Sequence, residues 1–287
     1  MGLSHEEDQW VSISVEAAMG LSMLGALFIV AVYTAFKDLR CYAARLVVYM
    51  ETLDFLNGVS YMLPEGESWC VAQAVLSSYF SMASILMTSV IAYSLFVATL
   101  RHTPNVEKKE ALFVTISLLL PLPGALLPLM TNSYGKMHGW CWVKVSERDF
   151  WVPTIWRLTT FYVPLWTIIL LNTYVYARII RVAKEQSNFT LSQSTTYETV
   201  VKKLVWYPLV LAASYLPLTV VRGMEFVKPD SDLFPLLIVA GVAMGLGGFG
   251  NALVYGLTPS VKYKLLGCLY PTRRLSYRYS KQSNELR

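Results

Sequence analysis

The stretch Trp69–Leu100, WCVAQAVLSSYFSMASILMTSVIAYSLFVATL, decides the fold class of this chain. It contains no Asp, Glu, Lys or Arg and is followed by Arg101. A helix rises about 1.5 Å per residue, so this segment would be roughly 45 Å long. That is more than the ~30 Å hydrocarbon core of a bilayer requires, and we expect a tilted or projecting membrane helix. Its many serines and threonines are typical of a helix surrounded by other helices.

Six further apolar runs accompany this segment along the 287-residue chain. The composition is 55% hydrophobic and only 15% charged, whereas soluble domains average about 25% charged residues. A bilayer accepts only helices or closed barrels, and the sequence lacks the alternation of barrel strands. We therefore predict an all-α membrane protein in which residues 13–257 form a bundle of seven transmembrane helices. The predicted spans are 13–36, 43–63, 70–100, 110–131, 151–180, 200–226 and 233–257.

The lysines and arginines predict how the chain crosses the membrane. Most of them fall in one set of loops and in the C-terminal tail, 271–287. The other loops carry only Lys136, Lys144, Arg148 and Lys228. Since basic loops stay in the cytosol, we predict an extracellular N-terminus, 1–12, and a cytosolic C-terminus. Because the basic residues border the membrane, the net charge of +5 does not indicate nucleic-acid binding.

After the seventh run, residues 258–270 are predicted to form a short amphipathic helix at the membrane interface. Thr258 can serve as its N-cap, and the following proline fits a first helical turn. Val261 and Leu265 would face lipid, while nearby lysines would face phosphate groups. Cys268 is then placed for palmitoylation, with an unmodified membrane-surface cysteine as the alternative.

Two of the four cysteines fall on the predicted outer side. Cys70 lies at the outer end of the third helix, and Cys141 lies in the second outer loop, between two tryptophans. An oxidising compartment favours a disulfide between them, although two buried thiols are the alternative. Such a bridge would hold the loop over the mouth of the bundle.

Polar residues inside the membrane are costly and are therefore functional candidates. Glu51, Asp54 and Asn57 are spaced i, i+3, i+6 on the second helix, and Asn251 and Tyr255 are spaced i, i+4 on the seventh. Each set lies roughly on one helix face. We expect Asp54 and Asn251 to form a polar cluster, with water or a bound sodium ion. The cluster is either a conformational switch or a static contact between the two helices.

Two arginines are candidates for ligand binding near the outer side. Arg157 on the fifth helix and Arg222 on the sixth could point into the mouth of the bundle. A guanidinium binds phosphate or carboxylate through two parallel hydrogen bonds. The alternatives are snorkelling towards the interface and a salt bridge with Glu225. The remaining ligand-binding candidates are Trp142 in the outer loop and Ser77 and Ser81 on the third helix.

Other kinds of site are not supported by the sequence. A catalytic metal site needs ligands that converge within the bundle, but the three histidines lie outside the apolar runs. We therefore predict neither a metal site nor an enzyme. The GxGxxG match at 245–250 lies inside the seventh run and does not follow a strand. It predicts close helix packing, not nucleotide binding.

Several short motifs carry a family resemblance. They are Asp38-Leu39-Arg40, Arg45-Leu46-Val47-Val48-Tyr49, Asp54-Phe55-Leu56, Ser60-Tyr61, Trp140-Cys141-Trp142 and Asn251 to Tyr255. Together they resemble the cyclic-AMP-receptor-like class, class E, of G-protein-coupled receptors, over most of residues 20–265. The inner end of the third helix reads AYSLF at 92–96, without the charged triplet of rhodopsin-like receptors, and Ala252 stands where those receptors have proline.

The resemblance implies a cell-surface receptor for an extracellular small-molecule ligand, either cyclic AMP or another small anion. It also implies activation of a heterotrimeric G protein from the cytosolic side. The residues expected to face that G protein are Arg101, Arg181, Lys202 and Lys203. A seven-helix carrier or channel without G-protein coupling is the alternative, and it would need a continuous polar path through the bundle.

Overall fold

The computed structural model describes residues 3–64, 66–100, 106–144, 151–187, 206–227, 233–258, 261–262 and 265. Every predicted apolar run overlaps one helix or consecutive helices. They are α1 (His5–Ala35), α2 (Tyr42–Tyr61), α3 (Glu67–Leu100), α4 (Glu110–Leu119), α5 (Pro121–Leu126), α6 (Trp151–Arg157), α7 (Val163–Ser187), α8 (Trp206–Val227), α9 (Phe234–Gly245) and α10 (Gly247–Gly256). Short 3-10 turns occur at Lys37–Leu39, Glu107–Lys109 and Leu127–Thr131.

The first helix begins at His5 and not at residue 13, where the apolar run starts. The reason is a capping box in the polar segment before that run. Ser4 Oγ accepts a hydrogen bond from the Glu7 N–H, and the Glu7 carboxylate accepts one from the Ser4 N–H. This arrangement satisfies two backbone donors that a helix start would otherwise leave open.

Within the described residues, four helical segments are long and apolar enough to cross a membrane. They are His5–Ala35, Glu67–Val97, Glu107–Thr131 and Trp151–Val182. The bent pair α9–α10 makes a fifth if it is counted as one span. Among the remaining described helices, α2 has 20 residues and α8 has 22. The charged residues Arg45, Glu51 and Asp54 make α2 the less apolar of these two helices.

Three of the long apolar segments are interrupted. α4 is followed by α5 at Pro121, since proline lacks the N–H that a continuous helix would use. Between α6 and α7, Leu158–Tyr162 forms a π-helical turn. α9 and α10 meet at Leu246, where the axis bends by 43°. Such interruptions redirect side chains. Arg157 directly precedes the π-helical turn, and Asn251 lies on α10, shortly after the bend at Leu246.

Glycines on α9 allow α1 to approach closely. A Cβ atom on Gly241 would lie 2.5 Å from Val15 Cγ2, and one on Gly245 would lie 2.7 Å from Ala18 Cβ. Any larger side chain would therefore push the two helices apart. This confirms the prediction that the glycine motif of the seventh run serves helix packing.

A β-hairpin, which the sequence analysis did not predict, lies between the α5 region and α6. Strand β1 (Tyr134–Met137) pairs antiparallel with β2 (Trp140–Val143). The two turn residues, His138 and Gly139, have φ values of 48° and 84°, the positive values that a type I′ turn requires. Strands of only four residues leave no clear hydropathy signal. The hairpin is therefore an addition to an otherwise helical fold.

Contacts on three sides hold this hairpin over one end of the bundle, here called the hairpin end. The predicted disulfide is confirmed, because Cys141 of β2 is bonded to Cys70 of α3. On the opposite side, Lys136 forms a salt bridge of 2.9 Å with Asp8 of α1. The Tyr134 hydroxyl donates to the Ala125 carbonyl over 2.9 Å, and burial raises the pKa of Tyr134 to about 12.

Candidate functional site

Arg157, at the end of α6, anchors the hairpin. Its Nε and Nη2 atoms donate to the Val143 carbonyl over 3.0 Å and 2.6 Å, and Nη2 also contacts Met137 Sδ. The side chain is 10% exposed. Two of its three nitrogens are thus occupied by the two strands. The structure places this predicted ligand-binding residue at the hairpin end, as expected, but in a role that supports the hairpin.

Arg222, on α8, is held differently. Its Nη1 atom lies 2.6 Å and 2.8 Å from the two carboxylate oxygens of Glu225, one turn further along the helix. Its Nε and Nη2 atoms are buried, and neither has a hydrogen-bond partner among the described residues. Arg222 therefore retains one edge of its guanidinium group for another acceptor. The salt bridge considered for Arg222 and Glu225 is present at the same time.

Glu225 lies among three basic side chains. Besides its contact with Arg222, its carboxylate is 3.3 Å from His138 Nε2 in the hairpin turn and 3.9 Å from Arg157 Nη1. Only 19% of the Glu225 side chain is exposed. Two guanidinium groups consequently share one carboxylate in a site from which water is largely excluded. We call these residues, together with Trp142, the hairpin cluster.

Trp142 lies at the centre of the hairpin cluster. The Cζ atoms of Arg157 and Arg222 are 5.7 Å and 5.8 Å from its ring centroid. Cations at such distances are attracted to the ring. The indole Nε1 donates to Ser78 Oγ over 3.1 Å, so a serine that sequence analysis did not single out fixes the ring orientation.

Tyr162, an aromatic residue that by sequence suits either a pocket wall or the interfacial belt, is not among the predicted ligand-binding residues. The π-helical turn Leu158–Tyr162 brings it to the same face as Arg157, next to Trp142, with ring centroids 6.1 Å apart. Its hydroxyl is close to Arg222 but has no hydrogen-bond partner within the described part of the chain. A regular helix would place residues 157 and 162 on different faces, which explains why spacing alone did not reveal it.

Beneath Trp142 lies a cavity of ≈ 20 Å³, enough for about one water molecule. It brings together three of the predicted ligand-binding residues, Trp142, Ser77 and Ser81. Arg157 and Arg222 do not line it. Trp142 is therefore the wall shared by the hairpin cluster and this cavity. The other lining residues are Tyr61, Ser78, Trp140, Phe161, Leu218 and Met244.

A second cavity, of ≈ 30 Å³, lies deeper in the bundle and is here called the Asp54 cavity. Asp54, Asn57 and Asn251 line it together with serines of α1, α3 and α8. Asn251 Nδ2 is 3.4 Å from Asp54 Oδ2, so the expected pair does meet. The Asn251 Oδ1 atom is buried and lacks a partner in the described segments. Ser81 and Met244 line both cavities.

Glu51 and Tyr255 do not line the Asp54 cavity. Glu51 has no exposed surface, and neither carboxyl oxygen has a hydrogen-bond partner among the residues described. Tyr255 packs against an apolar cluster that includes Ile29 and Met50. These two candidates are thus separate from the Asp54 pair, although Glu51 is only one turn from Asp54 on α2.

The end of the bundle opposite the hairpin, here called the Arg45 end, has its own polar contacts. Arg45 of α2 donates to both carboxylate oxygens of Glu110 on α4, at 2.6 Å to 3.2 Å. The Tyr49 hydroxyl donates to the same carboxylate over 3.0 Å. Sequence analysis missed this network because its partners are 65 residues apart, and the motif that contains Arg45 and Tyr49 does not indicate Glu110 as their partner.

Most residues proposed for contact with a G protein fall outside the described segments. Arg101, Lys202 and Lys203 lie there, as does the palmitoylation candidate Cys268, whereas Arg181 is exposed on α7. Of the predicted interfacial helix, Val261 does not face lipid as expected. It is buried against Val32 and Leu39, because these apolar side chains at the Arg45 end offer a surface that excludes water.

Comparisons with known proteins show the family. The model of the slime mold cyclic AMP receptor family matches residues 2–227. The chain is 28% identical to G-protein coupled receptor 1 of Arabidopsis thaliana over 273 residues, covering 91% of this chain and 82% of that receptor. Cyclic AMP receptor-like protein A of Dictyostelium discoideum is 26% identical over 83% of this chain and 61% of its own length. G-protein coupled receptor 157 of Mus musculus is 27% identical, with 91% and 87% covered. The chain therefore belongs to the slime mold cyclic AMP receptor family of G-protein-coupled receptors.

Proposed function

We propose that this protein is a plasma-membrane receptor that binds an extracellular small anion, cyclic-nucleotide-like in size and charge, and activates a heterotrimeric G protein. The observation that carries the proposal is the hairpin cluster, where Arg157 and Arg222 flank Trp142 and share a single carboxylate. Buried positive charge in excess of its counter-ions favours an anionic ligand. Family membership supports the receptor class.

The same proposal includes seven spans and a defined orientation. α2 and α8 have 20 and 22 residues, and at 1.5 Å per residue each is about 30 Å long, which suffices for the hydrocarbon core. Two polar side chains of α2 meet partners from other helices inside the bundle, Asp54 with Asn251 and Asn57 with Ser81. Because a disulfide persists in an oxidising compartment, the hairpin end is assigned to the extracellular side. The N-terminus is then extracellular and the C-terminus cytosolic.

Binding must widen the hairpin end. The cavity under Trp142, at ≈ 20 Å³, is far smaller than the ~300–1,000 Å³ of typical ligand sites. A ligand would therefore favour a conformation in which the hairpin or Trp142 has moved. Since Ser81 and Met244 line both cavities, such a movement would reach the Asp54 cavity. We propose that a sodium ion or water molecules there respond to it.

The cytosolic surface is assigned to the Arg45 end. Arg181 is exposed there, and the proposal adds Arg101, Lys202, Lys203 and the segment 258–270, with Cys268 available for palmitoylation. A G protein that binds this surface would stabilise the wider bundle, and the ligand would in turn raise the affinity for the G protein.

Nucleotide exchange on purified heterotrimeric G proteins tests the proposal. Membranes containing the full chain are exposed to cyclic AMP, cyclic GMP, AMP and adenosine, and GDP release is measured for several Gα subtypes. An anion-dependent increase over membranes without the chain is the expected result, with adenosine inactive because it lacks phosphate. Ligand-driven flux across vesicles without any nucleotide exchange would instead support the carrier or channel alternative.

A further inference from the structure

Three buried hydrogen-bond donors near Trp142 are unsatisfied. They are Arg222 Nε, Arg222 Nη2 and the Tyr162 hydroxyl, and none has an acceptor in the described ranges. Leaving a buried donor unpaired is costly, and native proteins rarely do so without a reason. Here the unpaired donors belong to neighbouring side chains on α8 and on the π-helical turn. A single acceptor group with at least two oxygen atoms would satisfy all three donors.

The geometry of Arg222 identifies the edge that remains available. Glu225 uses Nη1 alone, at 2.6 Å and 2.8 Å. The opposite edge, formed by Nε and Nη2, is one of the two that bind a carboxylate or phosphate through parallel hydrogen bonds. Arg157 offers no such edge, because Nε and Nη2 both donate to the Val143 carbonyl. The two arginines therefore have different tasks.

The charges around this edge favour an anion. Arg157 and Arg222 carry two positive charges, Glu225 carries one negative charge, and His138 adds positive charge only when it is protonated. Among the described residues, the hairpin has one further ion pair, Lys136 with Asp8, whose two charges cancel. Side-chain exposures of 8% for Arg222 and 10% for Arg157 limit screening by solvent.

We infer that the Nε–Nη2 edge of Arg222 and the Tyr162 hydroxyl form the anion-binding element of the ligand site, for a phosphate or carboxylate group. Glu225 is the fixed counter-anion that holds Arg222 in place and weakens the binding of a second anion. This inference rests on the proposed function and deepens it by naming the atoms that bind the charged group. Trp142, which borders both the arginines and the cavity beneath it, separates the anionic part of the ligand from the remainder.

The test uses the full chain in lipid nanodiscs and inorganic phosphate as the probe. The midpoint of thermal unfolding is followed while sodium phosphate replaces sodium chloride at constant ionic strength. For the unaltered chain we expect a saturable rise in the midpoint. Glu225→Gln should lower the half-saturating phosphate concentration about tenfold, because a nearby negative charge is removed while the side-chain shape is kept.

Two substitutions should have the opposite effect. Arg222→Lys keeps the charge but lacks the two-donor edge, so the saturable rise should be lost. Tyr162→Phe removes one donor to a charged acceptor and should raise the half-saturating concentration about tenfold or more. Lys136→Gln is the matched control, since it removes a positive charge from the same hairpin but does not contact Arg222. Its half-saturating concentration should stay within about twofold of the unaltered chain.

The results that overturn the inference are equally specific. A rise that is not saturable and is the same in every variant would show a general salt effect. A Glu225→Gln variant that titrates like the unaltered chain would exclude the counter-anion role. If Arg222→Lys fails to fold, as judged by its unfolding midpoint in chloride, Tyr162→Phe and Glu225→Gln still decide the question.

This experiment does not depend on G-protein coupling, so the two proposals fail separately. A chain that promotes nucleotide exchange but shows no phosphate effect would retain the proposed function and lose this anion site. A chain that binds phosphate through Arg222 without promoting exchange would retain the site and lose the receptor function.

Discussion

Asn251 of α10 donates through Nδ2 to Asp54 Oδ2 of α2 over 3.4 Å, just beyond the bend between α9 and α10. The contact is long, and Asn251 Oδ1 remains unpaired although it is buried. The oxygen atoms around this small cavity belong to a carboxylate, to amides and to hydroxyl groups. Hard cations prefer such oxygen ligands. The pair therefore marks the place where an ion or water would complete the polar contacts.

Asp54→Asn is expected to abolish any stabilisation that is specific to sodium. In the unaltered chain, sodium chloride should raise the unfolding midpoint more than choline chloride does at equal ionic strength. Removal of the carboxylate charge should make the two salts equivalent, because an amide attracts a cation far less. Persistence of the sodium-specific rise in Asp54→Asn would show that the ion binds elsewhere, and unchanged ligand affinity and signalling would exclude a switch.

Gly248→Ala should disturb the same cavity from the opposite side. A Cβ on Gly248 would lie 3.0 Å from Asp54 Cβ and 3.2 Å from Asp54 Oδ2, and closer still to Ser22 Oγ. Overpacking of this kind typically costs about 1–3 kcal/mol of stability. Gly20→Ala is the control, since a Cβ there meets nothing within 4 Å. It should be neutral or stabilise α1 by about 0.5–1 kcal/mol. Equal unfolding midpoints for both variants would contradict this packing argument.

How much of the fold was predictable follows from the range of each interaction. Long apolar runs predict the helices directly, and the placement of Cys70 and Cys141 on the predicted outer side was enough to predict their bridge. The hairpin was not predictable, since its strands have four residues each and its anchor is the Val143 carbonyl, which no side-chain pattern reveals. The hydrogen bonds from Arg157 to that carbonyl were therefore not predicted.

Local register explains the remaining differences. Tyr162 reaches the hairpin cluster through a π-helical turn, and spacing rules for a regular helix place it elsewhere. The contact between Asp54 and Asn251 could be predicted from the sequence because polar side chains inside a membrane usually pair with one another. Glu51 is also a polar residue within a predicted membrane helix. Its carboxyl group, one turn from Asp54, nevertheless lies in an apolar environment. Composition identified the polar residues, but only the packing of neighbouring helices separates paired from unpaired ones.

Glu51→Met is expected to stabilise the protein by about 1–3 kcal/mol. Burial of a polar group without a hydrogen bond has a cost of this size, and methionine has a similar length. The effect would appear as a higher unfolding midpoint in nanodiscs. Glu51→Gln should change stability less, because the amide is also left without partners. A large loss of stability in Glu51→Met would mean that the carboxyl group makes a contact essential to the fold.

Arg45 and Glu110 should show measurable coupling in a double-mutant cycle. The pair has several short hydrogen bonds, from 2.6 Å to 3.2 Å, and links α2 to α4. Because Arg45 is 33% exposed and Glu110 18%, solvent screening reduces the expected coupling to about 1 kcal/mol. The cycle compares Arg45→Gln, Glu110→Gln and the double variant by their free energies of unfolding. The more exposed pair Lys136 and Asp8, with a 61% exposed lysine, is the control and should couple more weakly. A coupling energy no larger than that of the control pair would show that the Arg45 contact is only a surface ion pair.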